Sequence, residues 1–350
     1  MKGNSPTGGR ATMQVKWISK KELVARTAKW MKEYRIYAPI HNGNELAFQI
    51  IREPAQIVLN EYSNTRYPAK SLFLPQSEVL MKYDGILRSV DYSEKNRLIF
   101  GIRPCDVHAM KLLDFALVDQ ENPDLYWQKK RESTVIVSRA CTSPADTCFC
   151  TAVGGSPFNT ADSDALFVDL DDECCVYVLT EKGIPLFKGL PDADESQLQQ
   201  VQTMTEQVVA AMPALLPKQQ LHDSLMASFE TDFWKDVSQS CLGCGVCTFL
   251  CPSCFCFDIV DETVRKERVR NWDSCMFRTY SLEASGHNPR PTKVERTRQR
   301  VMHKFAYWVD LINEIGCTGC GRCVEYCPVN IDIREITAKA LHQEFEGVKK

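Results

Sequence analysis

CLGCGVCTFLCP, at residues 241–252, decides the fold of the second half of this chain, and it recurs as CTGCGRCVEYCP at residues 317–328. We call these stretches the first run and the second run. Each has four cysteines with the spacing C-x2-C-x2-C-x3-C and a proline directly after the last cysteine. Bacterial ferredoxins that carry two [4Fe–4S] clusters have this spacing. The two runs are also the clear internal repeat of the sequence.

The spacing predicts which thiolates share a cluster. Thiolates are soft ligands suited to iron–sulfur chemistry, and three of them at two-residue intervals reach three corners of one cubane. The cysteine beside the proline ligates the cluster of the other run. Paired zinc sites are the alternative, but zinc motifs use sets such as two C-x2-C pairs. We therefore predict one [4Fe–4S] cluster on Cys241, Cys244, Cys247 and Cys327, and a second on Cys317, Cys320, Cys323 and Cys251.

Length and composition describe a globular chain and exclude several classes of protein. The 350 residues are 44% hydrophobic and 25% charged, with a net charge of −3. The small net charge argues against a nucleic-acid or membrane-surface binder that works through charge. No segment approaches the roughly 20 apolar residues that span a bilayer, and the N-terminus has no apolar stretch of the secretory kind. We expect a cytoplasmic protein without a membrane span.

The pattern along the chain predicts two domains after a loose tail at residues 1–12. Residues 13–220 alternate strand and helix signals, as in RLIFGIRPC (97–105), the helix at 106–117 and STVIVSRAC (133–141). This order predicts an α/β domain with a mixed or partly parallel sheet. Residues 221–350 hold both runs, and the long segment between them predicts a mainly helical two-cluster ferredoxin-like domain.

Three helices are predicted with specific features. Ser19 is a candidate N-cap for a helix within residues 18–36, and residues 196–216 form a long helix that ends at two prolines. Residues 296–315 form a basic helix near the second run. Its charges, in RTRQRVMHKF, are interpreted as a solvated helix face, with a surface for an acidic partner as the alternative.

A second group of cysteines occupies the α/β domain. Cys105 and Cys141 each end a predicted strand, and Cys148 and Cys150 follow in the next loop. Loops at the carboxyl ends of strands are where α/β sheets usually bind ligands. These four thiolates predict a third cluster of the [4Fe–4S] type. A zinc or [2Fe–2S] site and buried free cysteines are the alternatives.

Five cysteines remain. Cys174 and Cys175 are adjacent in a strand, where they cannot face the same side, and are predicted to be structural. Cys254, Cys256 and Cys275 follow the first run and are one thiolate short of a closed site. We expect them to pack or to support a neighbouring cluster, with a contribution of ligands across the domains as the alternative.

Taken together, several stretches resemble one family. They are GIRPCDVHAMKLLD, CTSPADTCFC, CLGCGVCTFLCPSCFCFD, RNWDSC, HKFAYW and CTGCGRCVEYCPVNIDI, and the resemblance runs from about residue 15 to residue 340. The family is the ferredoxin-containing beta subunit of soluble [NiFe] sulfhydrogenases, to which the iron–sulfur subunit of anaerobic sulfite reductase is similar. The resemblance implies a third cluster in the α/β domain, without settling its ligands.

The resemblance also implies a function and partners. The chain is expected to pass electrons from a reductase subunit that binds flavin and NAD(P) to a catalytic subunit of the hydrogenase, sulfite reductase or heterodisulfide-reductase type, or in the reverse direction. We expect no catalytic residues, and no flavin or NAD(P) on this chain, because no G-x-G-x-x-G follows a strand and no P-loop or G-x-S-x-G elbow occurs. The alternative is an iron–sulfur enzyme with its own substrate or flavin site in the α/β domain.

Overall fold

A computed structural model describes residues 14–59, 64–92, 96–119 and 121–342. The predicted tail at residues 1–12 lies outside these residues. The strands are β1 (Gln14–Ser19), β2 (Arg35–Asn42), β3 (Glu45–Ile50), β4 (Ser77–Tyr83), β5 (Leu87–Ser89), β6 (Arg97–Ile102), β7 (Thr134–Arg139), β8 (Ala165–Leu170), β9 (Glu173–Val178), β10 (Phe257–Glu262) and β11 (Glu267–Trp272).

The helices follow in the same chain order. They are α1 (Lys20–Trp30), α2 (Pro104–Leu117), α3 (Leu125–Glu132), α4 (Ile184–Phe187), α5 (Glu195–Ala210), α6 (Lys218–Ala227), α7 (Phe233–Ser238), α8 (Val246–Phe249), α9 (Lys293–Met302), α10 (Trp308–Ile312), α11 (Arg322–Glu325) and α12 (Ile333–Ala340). Short 3₁₀ turns lie at Pro54–Gln56, Ala69–Leu72 and Thr151–Val153, and a π-helical turn, His303–Tyr307, joins α9 to α10. None of the helices in the described ranges has the length and apolar character needed to cross a bilayer.

The chain forms two compact units. The first comprises the described residues of 1–69, 92–144 and 156–211, and the second those of 70–91, 145–155 and 212–350. The units therefore interleave along the chain, and the second takes in two segments that precede residue 212. The predicted domain boundary at residue 220 stays a prediction.

The first unit is built on a seven-stranded mixed sheet with the order β1-β9-β8-β7-β6-β2-β3. Strands β2, β6, β7 and β8 are parallel neighbours, whereas β1, β9 and β3 pair antiparallel. The central strands β6, β7 and β8 are buried along their whole length, as expected for strands covered on both faces. The predicted mixed, partly parallel sheet is confirmed.

The two faces of this sheet pack into separate apolar cores. Along β8, Phe167 belongs to the core with Leu23 and Trp30 of α1, while Leu166 belongs to the core with Val201 of α5. Cys174 and Cys175 of β9 divide between the same two cores. Burial raises the pKa of these thiols to about 12 and about 11. The prediction that they face opposite sides as packing residues is confirmed.

The helix cap predicted at Ser19 also appears. The Ser19 hydroxyl accepts a hydrogen bond from the backbone N–H of Glu22 at 3.2 Å and caps α1. Asp194 and Gln197 form a capping box at the start of α5. Helix α2 begins at Pro104, so Cys105 lies in its first turn. The prediction that Cys105 ends the preceding strand is therefore displaced by three residues, because proline favours the first helical position.

The second unit is mainly helical, as predicted. Its core is centred on α9, the π turn and α10, whose Val301, Met302 and Phe305 are buried against α6, α7 and α12. A four-stranded antiparallel sheet with the order β10-β11-β4-β5 also belongs to this unit and was not predicted. The basic helix predicted at residues 296–315 is confirmed as this continuous helical segment.

Candidate functional site

The first run folds as a loop that leads into a single helical turn. Gly245 has φ +77 and stands at the N-cap of α8, which allows the chain to turn sharply between Cys244 and Cys247. The backbone N–H of Gly243 donates to the Sγ of Cys241 at 3.4 Å. Hydrogen bonds of this kind favour a negatively charged sulfur and tune an iron–sulfur site.

The second run repeats the same local geometry. Gly321 has φ +77 at the N-cap of α11, and the N–H of Gly319 donates to the Sγ of Cys317 at 3.5 Å. The Sγ of Cys327 accepts from the N–H of Ile331 at 3.2 Å. The internal repeat therefore extends from the cysteine spacing to the backbone conformation.

One cavity brings together thiols of both runs. It measures about 60 Å³, and Cys241, Cys244, Cys247 and Cys327 all line it, as does Cys323. The other lining side chains are mostly apolar and include Met276 and Ile336. Cys327 is thus grouped with the three leading cysteines of the first run. We call this space the first-run cavity.

A second cavity holds the complementary set. Cys251, the last cysteine of the first run, lines it with Cys317, Cys320 and Cys323. This second-run cavity is smaller, at about 10 Å³. Each cavity therefore offers at least the four thiols that a [4Fe–4S] cluster takes, and Cys323 lines both.

These thiols respond to their surroundings. Burial raises the pKa of Cys317 to about 12 and also raises that of Cys323. A hydrogen bond from the Cys254 thiol lowers the pKa of Cys251. Because iron binds the thiolate, loading the second-run cavity must displace protons from buried thiols.

Two buried cations stand beside the cysteines. Arg300 of α9 lines both cavities, and Lys304 of the π turn lines the second-run cavity. Burial opposes the charge on each, but the thiolates of Cys247 and Cys254 raise the pKa of Arg300, and those of Cys251 and Cys254 raise the pKa of Lys304. Cationic side chains offset the negative charge of a thiolate-bound cluster.

The interpretation of RTRQRVMHKF as a solvated or partner-facing surface is wrong for these two residues. Arg300 is 7% exposed and Lys304 is 2% exposed. Both project from the helical segment toward the cysteine cavities. π-helical turns are frequent at functional sites. The sequence pattern, however, does not predict that the backbone hydrogen bonds of the helix change to the π-helical pattern at His303.

The four cysteines of the predicted third cluster divide between the two units. Cys105 and Cys141 belong to the first unit, and Cys148 and Cys150 belong to the second. In the first unit, β6 and β7 are parallel neighbours, and the Arg103 guanidinium donates to the carbonyl of Ala140 at 2.6 Å. Cys105 and Cys141 therefore lie shortly after adjacent strand ends, and not at the strand ends as the sequence predicted.

Within the second unit, the loop that carries Cys148 and Cys150 packs against the second run. The N–H of Phe149 donates to the carbonyl of Gly319 at 2.8 Å, and the Cys148 thiol donates to the carbonyl of Cys320 at 3.9 Å. A Cβ on Gly319 would lie 2.5 Å from the Cys150 backbone. The ligands of a third cluster stay a prediction.

Comparisons with known proteins agree with this geometry. A family profile described as a 4Fe-4S dicluster domain matches residues 240–331, a range that contains both runs. Sulfhydrogenase 2 subunit beta of Pyrococcus furiosus is 32% identical over 322 residues, which cover 90% of this chain and 93% of that protein. No solved structure matches the chain.

Proposed function

Because the chain belongs to the family of sulfhydrogenase beta subunits, we propose that it is the electron-carrying subunit of a multisubunit oxidoreductase. The observation that carries the proposal is the grouping of eight cysteines around two adjoining cavities. When bound, a [4Fe–4S] cluster takes up and gives back an electron at a potential set by its surroundings. The 4Fe-4S dicluster domain supports clusters in the second unit.

The proposed ligands follow the crossed pattern. One cluster is held by Cys241, Cys244, Cys247 and Cys327, and the other by Cys317, Cys320, Cys323 and Cys251. The lining of the two cavities supports this assignment, since each contains three leading cysteines of one run and the last cysteine of the other. Cys323 and Arg300 line both cavities, so the two sites are close neighbours, which suits electron exchange between them.

The chain's own residues set the conditions for that exchange. Backbone N–H groups of Gly243, Gly319 and Ile331 donate to cysteine sulfurs. Arg300 and Lys304 place positive charge beside the thiolates. Both features favour the more negative, reduced state of a cluster and raise its potential.

A third cluster on Cys105, Cys141, Cys148 and Cys150 is part of the proposal. It is supported by the resemblance of the α/β stretches to the family and by the adjacent strand ends that carry Cys105 and Cys141. Cys105 and Cys141 belong to one unit and Cys148 and Cys150 to the other, so this ligand set is proposed from the sequence pattern.

The partner subunits of this chain are proposed from its membership of the family. The relative is named as one subunit of a sulfhydrogenase, which supports partner subunits for this chain. We assign it a flavin- and NAD(P)-binding reductase subunit on one side and a catalytic subunit of the hydrogenase, sulfite reductase or heterodisulfide-reductase type on the other, in the cytoplasm. In this scheme the chain binds no flavin or NAD(P) and has no substrate site of its own.

Anaerobic purification of the full chain tests the proposal. We expect about eight iron atoms and eight acid-labile sulfides from the two runs, and about twelve with the third cluster, since each cubane holds four of each. Reduction by dithionite should give cluster EPR signals, and the chain alone should not oxidise NAD(P)H. Zinc in place of iron, or NAD(P)H-dependent dye reduction by the isolated flavin-free chain, contradicts the proposal.

A further inference from the structure

The second unit contains a third cavity, outside the two cavities of the runs. Its volume is about 410 Å³, within the range of small-molecule and cofactor sites and far above that of a single water. Cys254, Cys256 and Cys275 all line it. From the sequence these three cysteines are expected to pack or to support a neighbouring cluster, because three thiolates are one short of a closed site.

The β10–β11 hairpin brings these cysteines together. Cys256 directly precedes Phe257, the first residue of β10, which pairs with Trp272, the last residue of β11. Cys275 follows three residues after Trp272, and the N–H of Asp273 donates to the carbonyl of Cys256 at 2.9 Å. The Cys275 thiol in turn makes a side-chain hydrogen bond to Cys256. Antiparallel pairing therefore places two thiols distant in sequence at one end of the hairpin.

Charge around this cavity favours an anionic occupant. Arg290, Arg300 and Lys304 line it, and no described lining residue carries a carboxylate. Arg300 and Lys304 are buried, and buried cations need a paired anion. The guanidinium of Arg300 approaches the Sγ of Cys254 at 3.5 Å. The Nε of Arg290 has no hydrogen-bond partner within the described part of the chain.

The third cavity also adjoins the second-run cavity. Arg300 and Lys304 line both, and the Cys254 thiol makes a side-chain hydrogen bond to Cys251. Cys251 is a proposed ligand of the cluster in the second-run cavity. A redox group in the third cavity would therefore be in contact with the proposed electron path through neighbouring sulfurs.

We propose that Cys254, Cys256 and Cys275 hold a further iron–sulfur cluster, distinct from those of the two runs and from the one predicted at the N-terminal cysteines. Three soft thiolates, a cationic lining and a cofactor-sized volume match such a cluster. Because these three cysteines supply only three thiolates, at least one further ligand of the cluster must come from another group. The role of this cluster as an extension of the electron path rests on the proposed function.

The test compares Cys256→Ala and Cys275→Ala with Cys174→Ala, a buried cysteine in the sheet of the first unit. The full chain is purified anaerobically, and iron, sulfide, zinc and the EPR of the reduced protein are measured for each variant. We expect each of the first two to lose about two to four iron atoms with equal sulfide while the signals of both run clusters persist. Cys174→Ala should lose none. Unchanged iron, or zinc released in its place, overturns the proposal.

A second measurement needs no variant and therefore does not depend on folding. The native wild-type chain is treated anaerobically with iodoacetamide before and after removal of iron by a chelator, and modified cysteines are mapped by mass spectrometry. Cys256 and Cys275 should become reactive after iron removal alone. Their alkylation in the iron-loaded chain, or their recovery as a disulfide-linked pair, overturns the proposal even where the run clusters are intact.

Discussion

The ammonium group of Lys304 donates to the carbonyl oxygen of Gly316 at 2.8 Å, one residue before the second run begins. The same ammonium donates to the hydroxyl of Ser253 at 2.7 Å and to its carbonyl at 3.2 Å, just after the first run ends. The Ser253 hydroxyl in turn donates to the Gly316 carbonyl at 2.9 Å. One buried cation therefore holds together the end of one cysteine run and the start of the other.

Replacing this cation with an apolar side chain should destabilise the second unit. Lys304→Met leaves the carbonyls of Ser253 and Gly316 without a charged donor in the interior, at a cost of about 2–4 kcal/mol. The matched control is Lys235→Met, since Lys235 is exposed and pairs with Asp232 on the surface. Urea unfolding of both variants measures the difference. Equal midpoints for the two variants would show that the buried network contributes nothing.

Replacing the last cysteine of the second run should damage the cluster of the first run. Cys327 lines the first-run cavity with Cys241, Cys244 and Cys247, so Cys327→Ser should alter or remove about four iron atoms from that site. Cys251→Ser is the reciprocal variant and should affect the second-run cluster. EPR of the reduced variants identifies which signal is lost. Loss of the same signal in both variants would contradict the crossed assignment.

A third prediction concerns the N-terminal cysteines. Cys148→Ser should remove one cluster and leave both run signals intact, because Cys148 is a predicted ligand of a separate site. Serine keeps a donor for the contact with the Cys320 carbonyl, so the loop should stay packed. Iron analysis with EPR checks the result, and Cys175→Ala is the control. Full iron content in Cys148→Ser would remove Cys148 from the ligand set.

Thr147 lies so close to Gly321 that a side chain at Gly321 should destabilise the fold. Its φ is +77, and a Cβ would lie 2.6 Å from the Thr147 hydroxyl oxygen and 2.7 Å from the Thr147 carbonyl. Gly321→Ala should cost more than about 2 kcal/mol from strain and clash combined. Gly286→Ala separates backbone strain from steric clash, since φ at Gly286 is +84 but an added Cβ would have no neighbouring atom within 4 Å. Thermal unfolding measures both, and equal losses would mean that strain alone matters.

Stability should depend on pH through His222 of α6. Its Nδ1 contacts Asp223 at 2.8 Å and its Nε2 contacts Asp310 of α10 at 2.9 Å. Hydrogen bonds to the two carboxylates raise the pKa of His222 above its usual value. The stabilising contribution is therefore complete below the unfolded-state pKa of about 6.5 and is lost as the pH rises through the higher folded-state pKa.

The expected size is small, because solvent screens the exposed carboxylates of Asp223 and Asp310. His222→Ala should lose roughly 0.5 kcal/mol more at pH 5.5 than at pH 9, relative to the unchanged chain. His287→Ala, in which the exposed imidazole is removed from a loop, is the control. Thermal melts at the two pH values test this. A loss that is the same at both values, or larger at pH 9, would contradict the sign.

The spacing of residues along the sequence by itself determined the cluster motifs, the type of sheet and a helix start of this protein. The C-x2-C-x2-C-x3-C-P runs predict paired clusters, because three thiolates from one turn and one from elsewhere is a local chemical pattern. Strand–helix alternation predicts the mixed sheet of the first unit, and the signal at Ser19 marks a helix start. Each of these features depends on residues that are near one another in sequence.

Tertiary structure alone decided what the distant residues do. The charges of Arg300 and Lys304 look like those of a solvated helix in the sequence, yet packing and a π turn direct them to the cysteines. The β10–β11 hairpin places Cys256 and Cys275 at its open end, and no sequence periodicity predicts that they meet. The assignment of Cys105 and Cys148 to different compact units likewise could not be read from their positions in the sequence. Contacts between residues far apart in sequence arise from the free energy of the whole fold, so a local pattern cannot encode them.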